Sequence, residues 1–175
     1  MKVLAFILLL ICVGVNSKMT PMKTISSHKE SAPVIPPPPP LELIKQVMAL
    51  QQGVTKVENT LSTIDRALNK IKEKSEEIAR IQSEKERKAA ATTFAKKCEQ
   101  DTTKFFNQIQ EAFKTLSESK KSFHQLRRDH VVQVQHMDQS YLLKDIARCT
   151  KGEERAIELE GKNDGACDAV FELAA

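Results

Sequence analysis

What the chain does without sets the first bounds. It has no tryptophan, a single tyrosine (Tyr141) and five glycines, one of them Gly14 in an apolar N-terminal run. All seven prolines lie at or before position 40, and from Val54 to Lys151 there is neither glycine nor proline. Mixed folds need such residues at their turns, so a breaker-free stretch of this length implies helices. Blocks of like charge are missing too: the net charge is +4, with acidic and basic residues interspersed. That is the pattern of a solvated helical surface and argues against a nucleic-acid partner. Past the N-terminal run no segment is apolar enough for a transmembrane helix. The acceptor triplet for N-glycosylation is absent as well.

The N-terminus carries the clearest targeting signal. Lys2 supplies a positive charge, Val3 to Val15 is apolar apart from Gly14, and Val15 and Ser17 occupy the −3 and −1 positions of a small-residue cleavage site before Lys18. This order predicts a secretory signal peptide over 1–17, its core too short to span a bilayer. An extracellular, secreted chain of about 158 residues would follow, enough for one modest domain and a tail. Lys18 to Ala32 is polar and aperiodic, and Pro36 to Pro40 form a polyproline spacer of roughly 15 Å. The segment 18–40 therefore reads as disordered. Recognition of the proline run by SH3- or WW-type partners would need a cytosolic location, which the signal opposes.

The domain is expected over 41–175, beginning with the strongest periodicity in the chain. Leu43, Val47, Leu50, Val54, Val57, Leu61, Ile64, Leu68 and Ile71 alternate by four and three residues, Ser75 takes the next position and Ile78 the one after. This is an a/d heptad seam and predicts a helix over about 41–81, roughly 55–60 Å long. In a parallel dimer the facing g and e residues would be Gly53–Glu58, Thr60–Asp65 and Ala67–Lys72, and none is a charge pair. An intramolecular bundle is therefore favoured over a dimeric coiled coil, with the seam as the candidate helix interface. Ser83 and Glu86 fit a capping box for a second helix.

That second helix is expected over about 84–128. Phe106, Ile109, Phe113, Leu116 and Phe123 form its core stripe, broadened by Phe94, Cys98, Phe105 and Ala112. Ser117–Ser122 or Arg127–His130 offers a turn. A third helix over about 130–149 uses Val131, Val134, Met137, Tyr141, Leu142 and Ile146. Thr150 and Glu153 then suggest a capping box opening a short helix over about 151–160, stopped by Gly161, and a last one over about 166–174. The fold class is all-α: an elongated antiparallel helical bundle of coiled-coil-like helices with a disordered Pro-rich N-terminal segment.

Chemistry is sparse. Cys12 leaves with the signal, so Cys98, Cys149 and Cys167 remain as candidate disulfide or intermolecular cysteines, an odd number. One intrachain bridge at most can form, and the third thiol is left for a partner or stays buried. A Cys149–Cys167 bridge would close a loop worth roughly 3 kcal/mol in the chain-entropy model. Cys98–Cys149 or Cys98–Cys167 would instead tie distant helices. A bridge involving Cys149 is preferred. His124, His130 and His136 recur every six residues, a turn of about 240° per step on a helix, so they cannot share a metal. Metalloprotease, nucleophile-elbow and phosphate-loop spacings are absent. No catalytic residue, metal or cofactor is expected.

The function expected is a secreted noncatalytic helical protein acting by protein–protein interaction, or a structural component of an extracellular secretion. Its partners would be other secreted proteins or a second copy of itself. The alternative is an amphipathic-helix carrier of lipid or another hydrophobic ligand, which a disulfide would oppose by resisting opening. A helical signalling factor is also compatible with length and secretion.

Overall fold

The computed structural model describes residues 41–129 and 140–175, and these form an all-α bundle. Its elements are α1 (Leu41–Ala79), α2 (Glu84–Asp129), α3 (Ser140–Asp164) and the short α4 (Asp168–Ala174). The signal-peptide and Pro-rich readings of 1–17 and 18–40 lie outside the described residues. So do the start of the helix expected over 130–149, with Val131, Val134 and Met137, and both His130 and His136.

α1 follows its heptad. Leu43, Val47, Val54, Val57, Leu61, Ile64, Leu68, Ile71, Ser75 and Ile78 are buried, and Leu50 is half-buried against the same core. Ser75, polar at a core position, satisfies itself by donating to the Ile71 carbonyl at 2.9 Å. The helix closes by tightening its last turn, with Ile81 N–H bonding the Ile78 carbonyl at 3.1 Å. The Arg87 guanidinium donates to the Ile81 carbonyl at 3.2 Å, covering an acceptor that the helix end leaves open. Ser83 caps α2: its hydroxyl accepts from the Glu86 N–H at 3.4 Å. Glu84 and Glu86 in the first turn and Arg127 and Arg128 in the last both suit the helix dipole. So short a connection lays α2 antiparallel on α1.

The seam of α2 differs from the expected stripe. Ala91, Ala95, Cys98, Ile109, Ala112, Leu116, Ser119, Phe123 and Leu126 are buried, with Thr102 and Phe105 half-buried between them. These eleven positions alternate by four and three without a break. Phe106 and Phe113 each lie one residue past that seam, and both are exposed. Long side chains at every seam position would hold the helices too far apart. Alternating large with small residues lets them interlock at about 8–10 Å. The chain does not turn at Ser117–Ser122, which lies inside α2.

α3 also runs through the boundary expected at 149–151. Thr150 opens no new helix, because its hydroxyl bonds back to the Ile146 carbonyl at 3.2 Å. Glu153 goes to Lys120 of α2, Nζ to Oε2 at 2.6 Å. Neither Gly152 nor Gly161 stops the helix, since packing outweighs the roughly 1 kcal/mol cost of a helical glycine. Gly152 packs directly on α2, and a Cβ there would lie 2.8 Å from Leu116 Cδ1. α4 then turns onto the N-terminal half of α2, where Val170 is buried.

Candidate functional site

Helix α3 runs parallel to α1, and a ladder of polar contacts fixes their register. Asp145 is buried (4% exposed) and accepts from Gln51 Nε2 at 2.6 Å and from Arg148 at 3.3 Å. The same guanidinium reaches across to Glu58, at 3.2 and 2.6 Å, and to the Thr55 hydroxyl at 3.1 Å. Hydrogen bonding to Glu58 holds the Arg148 pKa above its ordinary value against the opposing effect of burial. Two turns further, Arg155 pairs with Asp65 and Glu158, and Lys162 joins both carboxylates at 3.2 and 3.1 Å. The carboxylates reached across the interface, Glu58 and Asp65, come from α1, and the basic groups from one edge of α3, every seventh residue (Arg148, Arg155, Lys162), where Asp145 and Glu158 of α3 join them.

The α1 residues predicted as a helix interface all face this interior, Leu50 being half-buried against it. Leu43 to Ile71 belong to one core with Ile109, Leu116, Phe123, Cys149 and Leu159, and Ile78 is also buried. The seam is occupied by the chain itself.

The cysteines correct the preferred pairing. Cys98 and Cys167 form the disulfide, with a Cα–Cα distance of 5.9 Å, and Cys149 is a free thiol at 0% exposure. A continuous α3 explains this. Cys149 lies about 15 residues before the end of the helix, roughly 22 Å along its axis, far beyond disulfide reach of Cys167. Burial, assisted by the Asp145 and Glu153 carboxylates, pushes the Cys149 thiol up to about 11. A neutral, enclosed thiol is no handle for cross-linking another chain. Next to the bridge, Thr102 Oγ1 lies 3.8 Å from Cys167 Sγ, and Asn163 Nδ2 donates to the Thr102 carbonyl at 3.0 Å. Among the described residues no group of three histidine, cysteine, aspartate or glutamate side chains is placed to hold a metal. No described helix is long and apolar enough to cross a membrane.

Two solvent-facing features among the described residues bear on binding. The first is the outer flank of the α2–α3 pair, where the heptad register places Phe106 and Phe113 on the edge of α2 that carries Lys120. Lys120 and Gln110 reach Glu153 and Glu160 of α3 at 2.6 and 2.7 Å, which identifies that edge as the one facing α3. On α3 the outward row beside these carboxylates is Leu143, Ala147, Thr150, Glu154, Ile157, Gly161. Phe106 is 40% exposed, Phe113 37%, Leu143 45% and Ile157 59%. Sequence reasoning missed this flank by assigning Phe106 and Phe113 to the core. The unbroken four-three alternation from Ala91 to Leu126 is the signal that separates them from it. The second feature is an open groove of about 950 Å³ between the C-terminal half of α1 and the tail. Leu68 and Ala79 line it from α1, and Ala166, Ala169 and Leu173 from the opposite side. No protein-family model, no curated protein and no solved structure matches this chain.

Proposed function

We propose that the chain is a secreted, noncatalytic helical protein that acts by protein–protein contact, as a binding or structural component of an extracellular secretion. The observation that carries this reading is the α2–α3 flank. It exposes Phe106, Phe113 and Ile157 together, while the longer α1 seam is enclosed within the bundle. Clustered exposed apolar side chains mark contact surfaces. Secretion is supported by Lys2, the Val3–Val15 run and its small-residue cleavage site. It is supported also by the Cys98–Cys167 bridge, since disulfides persist mainly in oxidising compartments.

The test compares the native chain with a Phe113→Lys/Ile157→Lys double variant, each immobilised and exposed to the extracellular fluid of the source. Proteins retained by the native chain and lost by the variant support the reading. Identical retention by the two, or none by either, contradicts it.

The groove between α1 and the tail favours a second reading, carriage of an amphipathic ligand, because its volume falls in the range of ligand sites and its apolar floor of Leu68, Ala166, Ala169 and Leu173 is flanked by Lys72, Glu76, Lys162 and Glu172. The Cys98–Cys167 bridge ties the tail to α2 and opposes wholesale opening of the bundle on lipid. Flotation of the protein with liposomes tests it in oxidised and reduced form. A bound fraction supports carriage, and its absence in both forms refutes it.

A further inference from the structure

We propose that the partner of the α2–α3 flank is a second copy of this chain, docked about a two-fold axis that runs parallel to the helices. The inference rests on the contact-surface reading above and adds the occupant. Under this symmetry α2 of one copy faces α3 of the other, and the two run antiparallel as they do within each chain.

The charges around the apolar residues fit that arrangement. The outermost row of α2 beside Phe106 and Phe113 carries the exposed Lys114, Lys121 and Arg128, whereas the outer row of α3 carries the exposed Glu154. Within the chain Lys120 is level with Glu153. With Gly152 packed on Leu116, Glu154 therefore stands at a height between Lys114 and Lys121, and the two-fold axis sets it against these lysines of the second copy. The same operation brings Ile157 over the second copy's Phe113, burying both exposed side chains. An α3–α3 dimer with antiparallel helices would instead place Glu154 against Glu154, which like-charge repulsion disfavours.

Gly161 is a separate observation on the same row. It is exposed within a helix, and a Cβ there would meet nothing within 4 Å. Glycine costs helix stability against alanine, and nothing within the bundle requires it at this position. Between two copies it provides room for the close approach of α2 of the second chain.

The experiment is sedimentation equilibrium of the purified mature chain in oxidising buffer, from micromolar to millimolar, with and without reductant. The expected result is a reversible dimer that reductant leaves in place, because the free thiol is buried. Glu154→Lys, or Lys114→Glu with Lys121→Glu, weakens the dimer about tenfold or more. Combining all three reversals restores it, since each charge meets its opposite on the other copy. Gly161→Leu weakens it as well. Circular dichroism confirms that each variant is folded, and all four positions are exposed. A monomer at every concentration overturns the proposal, as does a dimer indifferent to the reversals or one that the triple reversal fails to restore. Differential capture of another secreted protein in the immobilisation experiment, with a monomeric native chain, would leave the contact-surface reading standing and remove the second copy as its occupant.

Discussion

Substituting alanine for Gly152 and for Gly53 is the same chemical change at two helix-interior positions, yet only the Gly53 variant should gain stability. Each gains roughly 1 kcal/mol of helix propensity. At Gly53 the new methyl meets nothing within 4 Å, so the gain is realised and the variant is more stable. At Gly152 the methyl would stand 2.8 Å from Leu116 Cδ1 and 3.0 Å from Cδ2. Leu116 is 0% exposed, so its methyls have no solvent to move into, and the clash is relieved by repacking the Leu116 side chain against its neighbours or by shifting α3 away from α2. Overpacking of this kind costs about 1–3 kcal/mol, enough to cancel or reverse the propensity gain. The difference between the variants removes the shared propensity term and isolates the close approach of α2 and α3. Urea unfolding followed by far-UV circular dichroism reads it directly. With a slope of about 1–2 kcal/mol per molar, the midpoints should separate by about 0.5–3 M. Equal stabilisation of both variants would refute the claim that Gly152 sets the distance between α2 and α3.

Three further outcomes follow from the polar and sulfur chemistry. Cys98→Ser with Cys167→Ser removes a cross-link between residues 69 apart and should cost about 4 kcal/mol by chain entropy, an upper value; hydrogen exchange should show α4 losing protection first. Cys149, its thiol raised from 9.0 to about 11, should resist a disulfide reagent in the native protein at pH 8 and react on unfolding. Because the fold favours the protonated thiol, its contribution to stability is intact below about pH 9 and falls away between 9 and about 11. A titration of the urea midpoint that stays flat across that window would contradict this. Arg148→Met withdraws one of the donors to buried Asp145 and leaves Glu58 unpaired across the helices, so a loss of about 1–3 kcal/mol is expected in the same unfolding assay. A change within about 0.3 kcal/mol would show that the ladder contributes little to holding α1 on α3.

Legibility in the sequence followed the chemistry of each seam. α1 announces itself because nearly every seam position carries leucine, isoleucine or valine, and its one polar member, Ser75, satisfies its own hydroxyl. α2 hides its register. Ala91, Ala95, Thr102, Ala112 and Ser119 hold core positions without conspicuous hydrophobicity, while the bulkier Phe106 and Phe113 lie off the seam. Reading by size rather than by spacing therefore draws the stripe one residue out. In α3 the sequence offers two boundary signals, a Thr-x-x-Glu box and Gly161, but the helix continues through both. Gly152 is needed by Leu116, and Glu153 belongs to Lys120. The disulfide followed from the same point, since a short sequence separation favours Cys149–Cys167 only if the helix between them breaks. The contact flank became visible once the true seam had been separated from what lies beside it.

Hydroxyl-radical footprinting of the native chain at low concentration tests the central claim most directly, because it reports side-chain exposure residue by residue. The account predicts strong modification at Phe106, Phe113 and Ile157 and none at Leu61, Ile64 and Leu68. Comparable modification along the α1 seam, with Phe113 and Ile157 untouched, would contradict it: α1 would then be the open surface and the α2–α3 flank the core.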